Sequence, residues 1–415
     1  DIIYLGENMS ETEQDYSGKK VIIGLTGRLD SCVAALLLKK QGMDVIGMSI
    51  VMGNKDTFEG ESLAPKCHIN DLDQVKRFCE KINIPFYATD AKSRFDSDVL
   101  DPLIARKLSA EANNSCFDCT RMRIHTLYDK MKKLNADFIA TGHYCKIQKN
   151  LNSSQYFVHS NNDLASDQSF LLAGLDGEFL KHLILPLGEL KKSEVQKIAI
   201  KFGLGNEESK DSTEFCFKRK ESFIGKIGKR VPKNLIKDGQ IQNIDTELYH
   251  GDHAGIMNHY LGEDQLPFKG LGPTDKELQI VDYVFHNGLI IIGPKKELTH
   301  KGVQLVNLKL GKGLDQTRPI VCFLKSKHDV EYHKCNLYFK NNNSAMVECE
   351  SEIYPLLKSE SFVLFDKNTR NAKVIGIGKA CNIGDFELLD RVGEYKSYDG
   401  EEEKQEVTSV QMFKF

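Results

Sequence analysis

Between residues 19 and 205 short β-branched runs alternate with segments of helical period, and this alternation restricts the chain more than any other feature. Lys20–Leu25 (KVIIGL) has the composition of a buried parallel strand. The segment SCVAALLLKKQG, from Ser31 to Gly42, repeats apolar residues at helical spacing and ends on a glycine, a C-cap signal. Val45–Val51 reads as the next strand, and residues 70–83 (NDLDQVKRFCEKIN) as an amphipathic helix capped by Asn70 or Asp71. Pro85–Thr89 and Ala136–Thr141 read as further strands. The pattern predicts an α/β domain built on a doubly wound parallel sheet. From Gly239 onward the chain instead shows short alternating segments separated by Gly, Asn and Asp. These are Leu289–Gly293, Val303–Leu310, Ile320–Leu324, Met346–Glu350, Ser361–Phe365 and Lys373–Gly378, and their spacing suggests a β-barrel or sandwich. The expected domains are 19–208, 209–294 and 295–390, with loose termini at 1–18 and 391–415.

Charge and cysteine usage narrow the classes of function. Fifty-six Lys plus Arg against 59 Asp plus Glu give a formal net charge of −3, which excludes a globally basic nucleic-acid binder but not a local basic face. Residues 217–237 (FKRKESFIGKIGKRVPKNLIK) hold eight Lys or Arg and one acidic residue. A charge run is usually a solvated surface, but the position directly after Cys216 favours contact with RNA phosphates. Eleven cysteines, odd in number and scattered, do not resemble a secreted disulfide framework and point to a reducing compartment. Apolar runs such as Leu289–Ile292 are far shorter than the roughly 18 residues of a membrane span, so no membrane partner is expected. Residues 1–18 carry five acidic groups and no Lys or Arg, which fits neither a signal peptide nor a transit peptide.

Two segments carry chemistry. The first strand runs into Gly24-Leu25-Thr26-Gly27-Arg28-Leu29-Asp30-Ser31 and then straight into a helix. Small residues and hydroxyls at a helix start suit an anion, because backbone N–H groups point at the ligand and phosphate can approach closely. The alternative is an ordinary turn with Asp30 as N-cap. The second segment, Asn114-Ser115-Cys116-Phe117-Asp118-Cys119, is a C-x-x-C followed by the basic helical start Thr120–Arg123. Cysteines at a helix start beside arginine favour the thiolate. A third cysteine, Cys216, lies in the Ser/Thr-rich turn Lys210–Phe217, ahead of Lys218, Arg219 and Lys220. The C-x-x-C also fits zinc or a thioredoxin-like pair, although no second C-x-x-C completes a zinc set. The other eight cysteines, Cys381 among them, are expected to pack as small hydrophobes.

Taken in order, the loop, the C-x-x-C, ATGHY at 140–144, SDQSFLLAGL at 166–175, LPLGELKKSEVQKIA at 185–199 and KDSTEFCF at 210–217 resemble the tRNA-specific 2-thiouridylases. Those enzymes belong to the PP-loop ATP pyrophosphatase superfamily. The likeness continues through Gly251–Gly255, Lys269–Gly272 and Asn287–Gly293, and covers about residues 20–385. It implies an N-terminal PP-loop domain of the adenine nucleotide alpha hydrolase type, a small central domain and a C-terminal β-barrel. It also implies adenylation of a tRNA wobble uridine by ATP with Mg2+, then sulfur transfer from a cysteine persulfide. On that resemblance ATP would meet Gly24, Leu25, Thr26, Gly27, Arg28, Asp30, Ser31, Ile50 and Gly142. Cys119 would match the nucleophile and Cys216 the persulfide carrier. Asn114, Ser115, Cys116, His143, Ser166, Asp167, Gln168, Lys218, Arg219, Lys220 and Lys269 would lie on the tRNA side. A cysteine desulfurase or sulfur relay protein would supply the sulfur, in the cytoplasm or alternatively in a mitochondrion or plastid. Cys116, Cys119 and Cys216 would also suffice for a [4Fe–4S] cluster with one open iron. The sequence departs from the family pattern at Arg28 (for Gly), Ser115 (for Pro), Ser166 (for Lys) and Glu214 (for Gly), and EDQLPF lengthens one link. The rival reading is a degenerate paralogue that binds tRNA or a partner without thiolating. A third is a PP-loop enzyme for another substrate.

Overall fold

The computed structural model describes residues 16–52, 72–112, 114–150, 154–204, 230–231, 238–264, 278–311, 313–326, 329 and 331–384. In chain order the first half comprises β1 (Lys20–Gly24), α1 (Leu29–Lys40), β2 (Asp44–Val51), α2 (Leu72–Lys81), β3 (Phe86–Asp90), α3 (Lys92–Phe95), α4 (Asp101–Leu108) and α5 (Ser115–Lys133). There follow β4 (Phe138–Ala140), β5 (Cys145–Lys149), β6 (Tyr156–Ser160), α6 (Ser169–Leu172), α7 (Gly177–His182), β7 (Leu183–Ile184) and α8 (Lys192–Lys201). Five strands form a parallel sheet in the order β3-β2-β1-β4-β7, the doubly wound arrangement expected from the alternation.

Period-2 alternation in β1 sends its apolar residues to opposite faces. Val21 and Ile23 pack with the α1 residues Val33, Ala34 and Leu38 on one side, whereas Ile22 packs with Met122, Ile124 and Leu127 of α5 on the other. All of these side chains are fully or almost fully buried, each contributing roughly 1.5–3 kcal/mol for the larger ones. Gly42 closes α1 as its composition suggested. Its φ of +79° and the bonds from Gly42 N to Lys39 O and from Met43 N to Leu38 O form a Schellman motif. The expected caps Asn70 and Asp71 lie outside the described residues.

Among the described residues the second half is strand apart from short 3-10 turns. β8 (Gly239–Asn243), β9 (Tyr249–His253), β10 (Leu278–Val284) and β11 (Leu289–Pro294) form a four-stranded sheet in the order β10-β11-β8-β9. The last six strands are β12 (His300–Leu310), β13 (Ile320–Lys325), β14 (His333–Asn341), β15 (Ser344–Ile353), β16 (Ser361–Phe365) and β17 (Val374–Gly384). They close into a barrel in the order β12-β15-β14-β13-β16-β17, which decides between barrel and sandwich. β14 and the β5–β6 hairpin were not predicted, because their apolar residues are diluted by Lys, Asn and His.

Six of the cysteines expected to pack do so. Cys32, Cys79, Cys145, Cys322, Cys335 and Cys349 are buried, but Cys381 is exposed. The alternation of β17 turns it outward while its neighbour Ala380 enters the barrel. Cys67 lies outside the described residues. Among the described residues no helix is long and apolar enough to cross a membrane.

The barrel is fastened to the α/β domain at the start of α5. Asn114, only 2% exposed, donates from Nδ2 to Ser359 O at 2.7 Å and accepts from Ser361 N at 3.2 Å through Oδ1. Ala112 N donates to Lys358 O beside it. A second junction joins the β5–β6 hairpin to the barrel, where Ser160 and Ala372 exchange bonds of 2.8 Å.

Candidate active site

The sheet order reverses between β1 and β4, since the chain leaves β1 for β2 on one side while β4 lies on the other. Loops diverge at such a point and leave a crevice beyond the carboxyl ends of the strands. A cavity of about 200 Å³ occupies it. Its walls are the β1–α1 loop, the end of β2, the first three turns of α5 and the Thr141–His143 segment after β4.

The loop is knitted by one hydroxyl. Ser31 Oγ donates to Arg28 O at 2.9 Å, accepts from Thr26 N at 3.2 Å and lies 3.3 Å from Thr26 Oγ1. Gly27 has φ +79°, the conformation that favours glycine. Arg28, which replaces a glycine of the family pattern, has φ −86° and ψ 156°, where any L-residue is at ease. The substitution therefore leaves the backbone unstrained and adds a guanidinium to the cavity wall. Arg28 is also the N-cap residue of α1, so Asp30 is not the cap that the simple-turn reading required. Asp30 Oδ1 instead accepts from Tyr144 Oη at 2.6 Å, and burial, followed by the charge and hydrogen bond of Asp30, raises the phenol well above its ordinary range. Gly142 lets this segment press against α1, for a Cβ there would stand 3.1 Å from Asp30 C and Ser31 N.

Helix α5 supplies the thiols. Ser115, Cys116, Cys119, Thr120, Arg123, Ile124 and Leu127 line the cavity at spacings of three and four, one stripe of a helix. Cys116 and Cys119 are partly exposed, and Arg123 Nε donates to Cys119 Sγ at 3.4 Å. Across the cavity, His143 Nδ1 lies 2.8 Å from Thr141 Oγ1. Burial, and then the Arg123 guanidinium, push the His143 pKa down to about 4, so its imidazole is neutral at physiological pH. Met48, Ile50, Val99 and Leu171 make the remaining wall apolar.

Of the residues singled out from sequence, the cavity thus gathers Gly24, Leu25, Thr26, Arg28, Asp30, Ser31, Ile50, Ser115, Cys116, Cys119, Gly142, His143 and Gln168. Gly27 shapes the loop without lining it. Gln168 is held by Tyr144, to which it donates from N at 2.9 Å and from which it accepts at Oε1 at 3.1 Å. Three others face elsewhere. Asn114 is the barrel clamp. Ser166 Oγ donates to Asp163 Oδ2 at 3.0 Å, and Asp167 is buried inside its own turn, accepting from Asn161 N and Ser169 Oγ. Cys216, Lys218, Arg219, Lys220 and Lys269 lie outside the described residues, and with them one of the three thiols a cluster would need. Among the described residues no group of three His, Cys, Asp or Glu is placed to hold a metal ion. Sequence reading missed Arg123, Thr141 and Tyr144 as site residues. Counting one turn on from Cys119 would have found the first.

Comparison with known proteins settles the family. A relative from Clostridium acetobutylicum, named tRNA-specific 2-thiouridylase MnmA, is 30% identical over 352 residues, covering 84% of this chain and 96% of its own. The chain belongs to the tRNA-specific 2-thiouridylase family. Relatives of the same name are 28% identical in Clostridioides difficile, over 85% of this chain and 96% of that one, and 30% identical in Geobacillus kaustophilus, over 84% and 93%. The family described as "tRNA methyl transferase HUP domain" matches residues 19–220. A solved NMN synthetase from Francisella tularensis covers 46% of this chain and 64% of its own at 18% identity, with a TM-score of 0.27, too low to bear on the argument.

Proposed function

We propose that this 2-thiouridylase-family chain is an ATP-dependent tRNA-uridine 2-sulfurtransferase acting on the wobble uridine. One observation carries the reading. A loop suited to phosphate and two cysteines of α5 share the walls of a single cavity, an arrangement that would bring nucleotide and thiol chemistry to one base.

A uridine carbonyl oxygen is a poor leaving group, so it is activated first. The 2-oxygen attacks the α-phosphorus of ATP, N3 loses its proton and pyrophosphate departs. The outer sulfur of a persulfide on Cys216 then attacks C2, and AMP leaves with the C2–O electron pair. The Cys119 thiolate attacks Cys216 Sγ, breaks the S–S bond and frees the 2-thiouridine. The Cys119–Cys216 disulfide that remains is reduced by a cellular thiol, and a cysteine desulfurase or sulfur relay protein reloads Cys216.

The described residues fit this assignment. Backbone N–H groups at the start of α1, the hydroxyls of Thr26 and Ser31, and Arg28 suit phosphate. Oxygens of Asp30, Thr26 and Ser31 suit the hard cation Mg2+, which supplies charge neutralisation on the phosphates when bound. Neutral His143 and the Gln168 amide offer hydrogen bonds to a base without adding charge. Ile50 contributes an apolar face for adenine. A persulfide route needs thiols kept reduced, which fits a bacterial cytoplasm or an organelle matrix. The ordinary backbone at Arg28 removes one ground for a degenerate, non-thiolating protein.

The test is direct. The protein, ATP, a persulfide donor and unmodified tRNA should yield 2-thiouridine at the wobble position by mass spectrometry, and C119S and C216S should abolish it. Absence of product from a protein that still binds tRNA would overturn the assignment.

A further inference from the structure

Arg123 stands one helical turn beyond Cys119, and its Nε–H donates to the cysteine sulfur at 3.4 Å. A guanidinium stays protonated, so this bond is stronger when the sulfur carries a charge than when it carries a proton. The other charged and titratable groups on the cavity wall are Cys116, Arg28, Asp30 and His143. From α5 itself comes the Cys116 thiol, while Asp118, off the wall, is committed to an ion pair with Arg106. From the β1–α1 loop come Arg28, a second cation, and Asp30, which is engaged by the Tyr144 hydroxyl. From the segment after β4 comes His143, neutral at physiological pH and itself within the field of Arg123.

We propose that Arg123 is the positioning residue that holds Cys119 as a thiolate facing the cavity. It deepens the sulfurtransferase reading, in which Cys119 is the attacking sulfur, but its test needs neither tRNA nor turnover.

The experiment is the pH–rate profile of alkylation by iodoacetamide at Cys119, followed by peptide mass spectrometry on the full chain. The thiolate forms an S–C bond as iodide leaves, so the rate follows the ionised fraction. Wild-type protein should show a midpoint below the usual thiol value of about 8.5. R123M should move the midpoint upward and slow alkylation at pH 7 about tenfold, the size of one pKa unit. R123K, which keeps the charge, should recover part of the rate. Cys145, fully buried, serves as the fold control and should stay unmodified in every variant. If R123M exposes Cys145, R123Q replaces it in the same comparison. Superimposable wild-type and folded-variant profiles overturn the proposal. The two readings fail separately, because a C119S variant that still thiolates tRNA removes the catalytic role while leaving the Arg123-dependent profile intact.

Discussion

Gly142→Ala probes how tightly the segment after β4 presses on the nucleotide loop. The new Cβ would lie 3.1 Å from Asp30 C and Ser31 N and 3.2 Å from Asp30 O, all backbone atoms that cannot swing aside. Ordinary contact begins at 3.4 Å, so the first turn of α1 must retreat by about 0.3 Å. Overpacking by one methyl costs about 1 kcal/mol at the low end of the usual range. Part of that strain is relieved by moving the loop that Ser31 knits to Thr26 and Arg28. If all of it appears in binding, ATP affinity falls about fivefold. If all of it appears in folding, the melting temperature falls by roughly 2–4 °C. Calorimetric titration with a non-hydrolysable ATP analogue and a thermal melt measure the two shares. Gly177→Ala is the matched control, because nothing lies within 4 Å of its Cβ and its φ is not in the left-handed region. The control should leave both quantities unchanged or raise the melting temperature slightly. An unaltered affinity together with an unaltered melt in Gly142→Ala would refute the reasoning.

Other consequences are equally open to measurement. Asn114→Ala removes both bonds to the barrel and strands Ser359 O and Ser361 N, which should cost about 1–3 kcal/mol in a denaturant titration. His143 titrates near 4 in the folded protein against about 6.5 when unfolded. Its contribution to stability is therefore full above pH 6.5 and lost as pH falls toward 4, a loss that His143→Gln should remove from the pH dependence of unfolding. Protein purified without oxygen should contain no iron under the persulfide reading, and stoichiometric iron by elemental analysis would restore the cluster alternative.

The α/β half was legible because its signals are local. β-branched runs, a helical stripe and Gly42 each act over a few residues, and each prediction fell within a residue or two of the element found. Alternation alone left barrel and sandwich open, since it states that a strand has two faces but not which strands meet, and the barrel was legible only through the family resemblance, which the closed strand order bears out. The site divides in the same way. Thr26, Ser31 and Cys119 were visible as motif letters, whereas Tyr144 reaches Asp30 across 114 positions in sequence and carries no local mark. Asn114 shows the opposite failure. A polar residue ahead of the cysteines reads as a substrate contact, yet its amide is spent on the barrel. Arg28 teaches a narrower point, that a letter departing from a glycine matters to the backbone only where φ is positive, and here that demand falls on Gly27.

Helix α5 spans 19 residues, about 28 Å at 1.5 Å per residue, with its body bedded against β1 and β4. The residue that precedes it is hydrogen-bonded to the barrel at Ser359 and Ser361. The helix thus links the sheet to the barrel, and the two cysteines ride on its first two turns beside that joint. A change in how the barrel holds Asn114 therefore acts on the same end of the helix that carries both sulfurs.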